Sequence, residues 1–314
     1  AAFKNGGVEC VALCDVDKRH TEGPAKDLPG ARQFQDYRKM LDAMGAQIDA
    51  LVVATPVHSH AVIATEAMRR GKHVYVEKPV AHEVSEARAM RDLARRQKVA
   101  TQMGNQGMAT DSFRRTLELI EQGAIGEVRE AHVLFESGGT GPMKRPAEQS
   151  PVPECLDWDL WLGPAAARPF HPGYLNPDFP GAGGKGFDAT LIGWNRWRDF
   201  GAGGLGGAGS HSLNLAFKAL NAGMLWDGAE RGTIRVTTEV SEVCPDNFPC
   251  CQIVHFELPA RGAQGPAQIH WYNAWDTEIK RRGILDRMEA IAGQSLAWAR
   301  GSWSPHSLDR KSVV

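Results

Sequence analysis

Long hydrophobic runs are absent from this 314-residue sequence. No stretch approaches the roughly 20 apolar residues a membrane-spanning helix needs, so none is expected. Blocks of basic charge are lacking as well. The formal net charge is −1, and pairs such as Arg95-Arg96 and Arg281-Arg282 read as solvated helix faces. Nucleic acid and membranes are therefore excluded as expected partners. Cysteine is scarce, with 6 residues, and poorly spaced for bridging. Cys10 and Cys14 share one face of a predicted strand but stand roughly 13 Å apart, too far for a disulfide or a shared metal. Cys250 and Cys251 are adjacent and point to opposite faces, and Cys155 and Cys244 stand alone, so free thiols are expected. A Gly-rich phosphate loop is also missing from the front of the chain. The sequence runs from Ala1-Ala2-Phe3-Lys4-Asn5-Gly6-Gly7 straight into Val8-Glu9-Cys10-Val11-Ala12-Leu13-Cys14-Asp15. No G-x-G-x-x-G precedes that apolar run, and Gly201-x-Gly203-Gly204 follows no predicted strand.

What is present is a regular alternation of strands and helices. Strands are predicted at 8–14, 32–34, 48–54, 73–76 and 99–103, with helices at about 17–27, 36–45, 58–70 and 83–97. Such an order argues for a parallel, doubly wound sheet. The segment Tyr75-Val76-Glu77-Lys78-Pro79 is the most informative part of it. His73 to Val76 alternates too little for a half-exposed strand, which predicts cover on both faces. Ligands of such sheets bind at the carboxyl ends of the strands, where Lys78 falls. Pro79 stiffens the backbone and keeps Lys78 out of helical geometry. In the usual strand order 3-2-1-4-5-6 the first strand is central. If Val8–Asp15 is the second strand, strands two and four are left with unpaired inner edges. The fold expected is α/β: a Rossmann-type parallel sheet lacking its first βα unit, followed by an α/β domain with a largely antiparallel sheet. Both ends read as cut, which leaves localisation cytoplasmic by default with export as the alternative.

The second half changes character near 104–110. Thr110 or Asp111 caps a predicted helix bearing Phe113, Leu117 and Ile120 on one side, stopped by Gly123. A strand follows at 128–136. Residues 138–205 are rich in Gly, Pro and Trp without a sustained period, and read as an insertion folding over the site. Strands return at 233–243, 251–258 and 266–272. The domains expected are 1–106 and 107–314.

Three motifs carry a family resemblance: Ala54-Thr55-Pro56-Val57-His58-Ser59-His60, then Glu77-Lys78-Pro79, then Asp157-Trp158-Asp159-Leu160-Trp161-Leu162-Gly163-Pro164. In this order the sequence resembles the Gfo/Idh/MocA oxidoreductases, from about Val8 to Trp303. The resemblance implies NAD-dependent oxidation of a secondary alcohol on a carbohydrate or cyclitol, with Lys78 as the proton-transfer residue and His211 assisting. It implies cofactor contacts from Asp15, Ala54, Thr55, Pro56, His60, Glu77, Lys78 and Asn105. A carboxylate at Asp15 suits ribose hydroxyls and repels a 2′-phosphate, favouring NAD over NADP. Proximity to the positive nicotinamide would lower the Lys78 pKa. His58 and His60 form no metal pair, since acidic or thiol ligands are missing nearby, and no metal is expected.

The resemblance also exposes a departure. The family's Gly-rich turn leads into a helix with Asp and, four residues on, His. Here Gly203-Gly204-Leu205-Gly206-Gly207-Ala208-Gly209-Ser210-His211 keeps the histidine but has Gly207 at the Asp position. That leaves open a lyase- or glycosidase-type relative using transient oxidation and elimination, or a degenerate binding protein. Gln106, Arg168, His171 and Tyr174 are further candidate substrate contacts, and the 9 tryptophans are expected in cores, with some as platforms for sugar rings. Pairing of copies through the open face of the second sheet is the expected assembly, a homo-oligomer.

Overall fold

The computed structural model describes residues 7–135, 141–142, 144–146, 149–175, 193–225, 232–274, 276–293 and 312–313. It divides into two compact units, Ala1–Gly104 with Arg145–Gly201, and Asn105–Lys144 with Ala202–Val314.

The first unit contains β1 (Ala12–Cys14), α1 (Lys18–Asp27), β2 (Arg32–Phe34), α2 (Tyr37–Met44), β3 (Ala50–Val53), α3 (His60–Arg69), β4 (His73–Glu77), α4 (Val84–Gln97), β5 (Thr101–Gly104) and the short α6 (Trp158–Leu162). The helix starts follow from capping chemistry. Asp17 and Asp36 accept the backbone N–H groups of Arg19 and Arg38, and Glu83 with Glu86 forms a capping box at α4. All ladders are parallel, and the strands form two sheets, β1-β2 and β3-β4-β5. This is the split expected of strands two and four with unpaired inner edges. The core lies on one face, where Leu51, Val53, Val74 and Val76 meet Leu41, Met68, Met90 and Leu93.

The opposite face departs from the expectation of two-sided cover. β3 alternates exposed and buried residues, and Val52 is 66% exposed. Among the described residues the core-building helices pack on the Leu51/Val53 side only, so the apolar run overstated the cover.

Residues 145–201 cluster with this first unit. Their anchor is a short antiparallel bridge between Asp17 and Leu156, with Asp157 N–H donating to Val16 O at 3.0 Å. Trp158 and Trp161 stack at 4.8 Å, and Phe170, Tyr174, Trp197 and Phe200 close around them. Arg168 lies over the Phe200 ring and pairs with Asp199 at 2.5 Å. These indoles are core rather than exposed platforms. Tyr174 and Arg168 belong to this packing, and His171 caps a turn by accepting from Gly173 N–H.

The second unit is built on a sheet ordered β10-β6-β9-β8-β7, with β6 (Glu130–Phe135), β7 (Arg235–Val240), β8 (Cys251–Leu258), β9 (Ala267–Ala274) and β10 (Ser312–Val313). Among the described residues only the β6–β9 ladder of this sheet is parallel, so the sheet is largely antiparallel as expected. Helix α5 (Asp111–Glu121) is capped by Thr110. One sheet face, with Val133, Val254, Ile269 and Trp271, packs on residues of α8 (Asn214–Ala219). At one end of the other face, Leu134, Ile253 and Tyr272 meet Ile279 of α9 (Asp276–Arg281) and Ile284 and Met288 of α10 (Ile284–Ala292).

The glycine run forms a helix, α7 (Gly203–Ser212). Two neighbours in it differ in kind. A Cβ on Gly206 would lie 2.6 Å from Ala202 Cβ, which has nowhere to go, whereas one on Gly207 would meet nothing within 4 Å. Gly207→Ala should therefore stabilise the second unit by about 1 kcal/mol through helix propensity. Gly206→Ala should destabilise it through overlap. Denaturant unfolding of both variants checks the opposite signs.

Candidate active site at the carboxyl edge of the parallel strands

Strands β3, β4 and β5 end together because their register pairs Val53 with Val76 and Glu77 with Gly104. The residues that follow them form the candidate site of the first unit. Lys78 leaves β4 and is joined to Pro79 by a cis peptide bond. Burial lowers its ammonium pKa below the usual lysine value of 10.5, with Glu77 opposing. The direction is the one expected from the sequence, but the cause here is desolvation by the protein itself.

Gly104 is the feature sequence reasoning missed. A Cβ there would sit 2.6 to 2.7 Å from the Glu77 carboxylate. The cross-strand position opposite Glu77 is thus held open so that its carboxylate can lie over the end of β5. The β4–β5 register is needed to see this, and a single-sequence reading does not supply it.

His60 is buried, with Nε2 2.7 Å from Thr55 O and Nδ1 2.8 Å from Pro79 O. Both ring nitrogens are engaged by main chain, so His60 positions the two loops of the edge rather than reaching a ligand. His58 is a core residue. Its Nε2–H donates to Trp161 O at 3.0 Å, and its ring packs on Trp161 and Phe200. Another positioning histidine, unremarked in the sequence, is His82, whose Nε2 lies 2.8 Å from Arg198 O and 3.0 Å from Gly201 O.

The residues present fit a dinucleotide. Thr55 Oγ1, past the end of β3, is buried with no hydrogen-bond partner among the described residues, an atom suited to a ligand hydroxyl or phosphate oxygen. Ala54 is exposed and Pro56 half-buried beside it. Asp15 follows β1. One of its carboxylate oxygens accepts Asp17 N–H at 2.8 Å, and the other lies 3.2 Å from His20 Nδ1. Its side chain is 37% exposed, so it serves its turn and still faces solvent.

Asn105 and His211 belong to the second unit and are brought together there. Asn105 Oδ1 lies 3.0 Å from His211 Nδ1, and its Nδ2 donates to Ser210 O at 2.5 Å. If His211 carries its proton on Nδ1, that N–H donates to Asn105 and Nε2 is the acceptor nitrogen of the ring. An amide thus orients the histidine on a helix where Gly207 offers no carboxylate.

A parallel βα sheet with Thr55, Glu77 and Lys78 at its carboxyl edge defines a Rossmann-type nucleotide-binding fold. Residues 1–105 match the family model GFO_IDH_MocA, described as an oxidoreductase family with an NAD-binding Rossmann fold. An uncharacterized oxidoreductase of Streptococcus pneumoniae is 31% identical over 129 residues, covering 41% of this chain and 34% of that protein. A glycosyl hydrolase family 109 protein of Shewanella pealeana is 33% identical over 139 residues, covering 41% and 30%. Glucose-6-phosphate 3-dehydrogenase of Bacillus subtilis is 33% identical over 96 residues, covering 31% and 26%. The matches thus span about a third of these relatives' lengths or less. Among solved structures, the WlbA dehydrogenase of Bordetella pertussis shares the fold with a TM-score of 0.57 at 18% identity, over 87% of this chain and 66% of that one. An oxidoreductase of Thermotoga maritima gives 0.55 at 18%, over 87% and 67%.

Burial of His58 makes a prediction about acid stability. Desolvation pushes its pKa from 6.5 down to about 4. The charged ring is therefore disfavoured in the folded state, and stability present above pH 6.5 is lost as pH falls towards 4. The loss should reach about 3 kcal/mol. Asp17 and Asp36 have carboxyl pKa values lowered from 3.8, with burial outweighed by Arg19 at the first and the Arg38 hydrogen bond leading at the second. Their loss therefore begins only near 3.8 and below. His58→Gln should flatten the slope between pH 6.5 and 4.5 in urea melts followed by tryptophan fluorescence. Equal slopes in variant and parent would contradict the assignment.

Proposed function

We propose that this chain is an NAD-dependent oxidoreductase that oxidises a secondary alcohol of a sugar or cyclitol, with Lys78 receiving the hydroxyl proton. The observation that carries this reading is Lys78 itself, an amine with a burial-lowered pKa at the carboxyl end of a parallel strand, beside Glu77. NAD, when bound, accepts the hydride from the carbinol carbon. The protein's part is to hold and to move protons. The Thr55 hydroxyl and the main chain of Ala54 and Pro56 would hold the cofactor's ribose or diphosphate. Asp15 would accept a ribose hydroxyl and repel a 2′-phosphate, which selects NAD over NADP. Glu77 stabilises the protonated form of Lys78, so the amine can gain a proton as the C=O double bond forms and pass it on to solvent afterwards.

A second reading is favoured by one finding, the 33% identity to a glycosyl hydrolase family 109 protein. In it the same oxidation is transient and a glycosidic substituent is eliminated before the hydride returns. Net NADH release in a screen of sugars and cyclitols supports the dehydrogenase. Glycoside cleavage without net NADH supports elimination.

Lys78→Ala should lower kcat by roughly 10²- to 10⁴-fold with NAD affinity nearly unchanged. The rate of the parent should rise with pH along a limb lying below the ordinary lysine value of 10.5, and that limb should vanish in the variant. Absence of NAD binding by calorimetry, with no turnover on any substrate, would instead favour a degenerate binding protein. Gly207→Asp is a gain-of-function test, because a Cβ there meets nothing within 4 Å. It restores a carboxylate four residues ahead of His211 and should raise turnover, whereas an unchanged rate would assign no use to a carboxylate at that place.

A further inference from the structure

Strand register in the second unit assembles a histidine row that no linear motif announces. His132 on β6 is opposite His270 on β9, which is opposite His255 on β8. Residues directly opposite share a sheet face, and Glu130 and Tyr272, each two residues along, share it too. On that face Glu130 Oε1 lies 2.9 Å from His132 Nε2 and 3.0 Å from His270 Nε2. Two imidazoles converge on one carboxylate oxygen, and their donor atoms all lie within 4.8 Å of one another.

We propose that Glu130, His132 and His270 form a binding site for a first-row divalent cation of the zinc type, with water in the remaining coordination position. Zinc–nitrogen bonds of 2.0–2.1 Å at tetrahedral angles put donor atoms about 3.3 Å apart. The two Glu130–imidazole distances lie within a few tenths of an ångström of that spacing, and the two imidazole nitrogens, within 4.8 Å of each other, close on the ion to reach it. Glu130 has a side chain 48% exposed, which gives the ion an entry path and solvent ligands, while the two imidazoles, at 10% and 13%, are held by the sheet. Two histidines and one carboxylate, with an open position, is a recurrent zinc donor set.

The outer nitrogens supply an independent observation. A ligating imidazole passes its other N–H to an acceptor that fixes the tautomer and the ring angle. His132 Nδ1 lies 3.0 Å from Tyr272 Oη, and His270 Nδ1 lies 2.6 Å from His255 Nδ1. His255 continues the chain, with Nε2 3.4 Å from Glu239 Oε1. With metal on both Nε2 atoms, His132 donates to Tyr272, His270 donates to His255, and His255 donates to Glu239, each with the proton it needs. Without metal the same heavy atoms place both protons on Nε2, donating to Glu130. The site thus loads by tautomer exchange and a small closing of the three ligands, with the partners of the outer nitrogens kept. The ion would tie β6 to β9, the only parallel pair of this sheet among the described residues.

The test is metal titration of the full chain after chelator stripping, using ZnCl₂ against a chromophoric competitor and CoCl₂ for absorption spectra. One tight equivalent per chain is expected, and cobalt should show weak visible bands without the near-ultraviolet charge transfer of thiolate ligands. The spectra separate this site from the six free cysteines. Glu130→Ala and His270→Asn should each abolish the tight equivalent. Tyr272→Phe should weaken it roughly 10-fold with the fold retained. Glu130 is half exposed, so its variant should fold, and far-ultraviolet circular dichroism checks that it does. Absence of a tight equivalent, thiolate-type cobalt spectra, or an undiminished equivalent in folded Glu130→Ala would each overturn the site.

Discussion

His60 stands at the start of α3 only 1% exposed, between two carbonyl oxygens that belong to different strand exits, Thr55 O at 2.7 Å and Pro79 O at 2.8 Å. The loop after β3 and the loop after β4 are thereby fixed to one rigid ring, and Thr55, Pro56 and Lys78 hang from them. Thr55 offers its buried hydroxyl from the first loop, and Glu77 and Lys78 enter the second. A buried hydrogen bond contributes only about 1 kcal/mol net, but a buried carbonyl left without a donor costs about 1–3 kcal/mol. The value of this imidazole is positional. It makes two independent turns into one surface, which a functional site requires more than it requires raw stability.

The same dry surroundings set the charge state of that surface. Burial lowers the pKa of His60, of His58 and of Lys78 alike. At neutral pH a neutral His60 has a single N–H to share between two carbonyls, so its second contact is held by packing. For Lys78 the balance differs, because Glu77 favours the ammonium while burial opposes it. Opposing influences of this kind bring a lysine within reach of both protonation states, which is what proton exchange needs and what a solvated surface lysine lacks. Gly104 belongs to the same arrangement. By carrying no Cβ it lets the Glu77 carboxylate occupy the end of β5.

Much of the first unit could be read directly from the sequence, since its signals are local. β1 to β5 lie within the predicted strands or extend them by a residue, and Thr110, one of the two candidate caps, caps α5. Lys78 falls at the end of β4 because an apolar run followed by X-Pro ends a strand for steric reasons. What escaped is long-range. The attachment of residues 145–201 to the first unit rests on a bridge from Asp17 to Leu156 and on aromatic packing around Trp158 and Trp161, and neither has a period. His58 and His60 look equivalent in the sequence, two residues apart. The turn of 3₁₀ helix at Val57–Ser59 points one into an aromatic core and the other between two loops.

In the second unit the sequence encodes two surfaces in one strand, and only pairing shows which belongs to which. Along β9 the residues Ile269 and Trp271 enter the core beneath α8, while His270 and Tyr272 face the other way. A period of two predicts that there are two faces, but not that His132 falls into one row with His255 and His270, more than a hundred residues further along the chain. That row depends on a parallel ladder between β6 and β9, and a slip of one residue there would turn His132 and Glu130 towards the apolar core. Desolvating that imidazole and carboxylate there, with Val133 turned out of the core, would be costly against the burial that the present register secures. The apolar face therefore selects the register, and the register in turn assembles the polar cluster. The histidine row is thus a consequence of packing on the opposite side of the sheet, so a change in that packing would be felt at Glu130 before any residue of the cluster itself is altered.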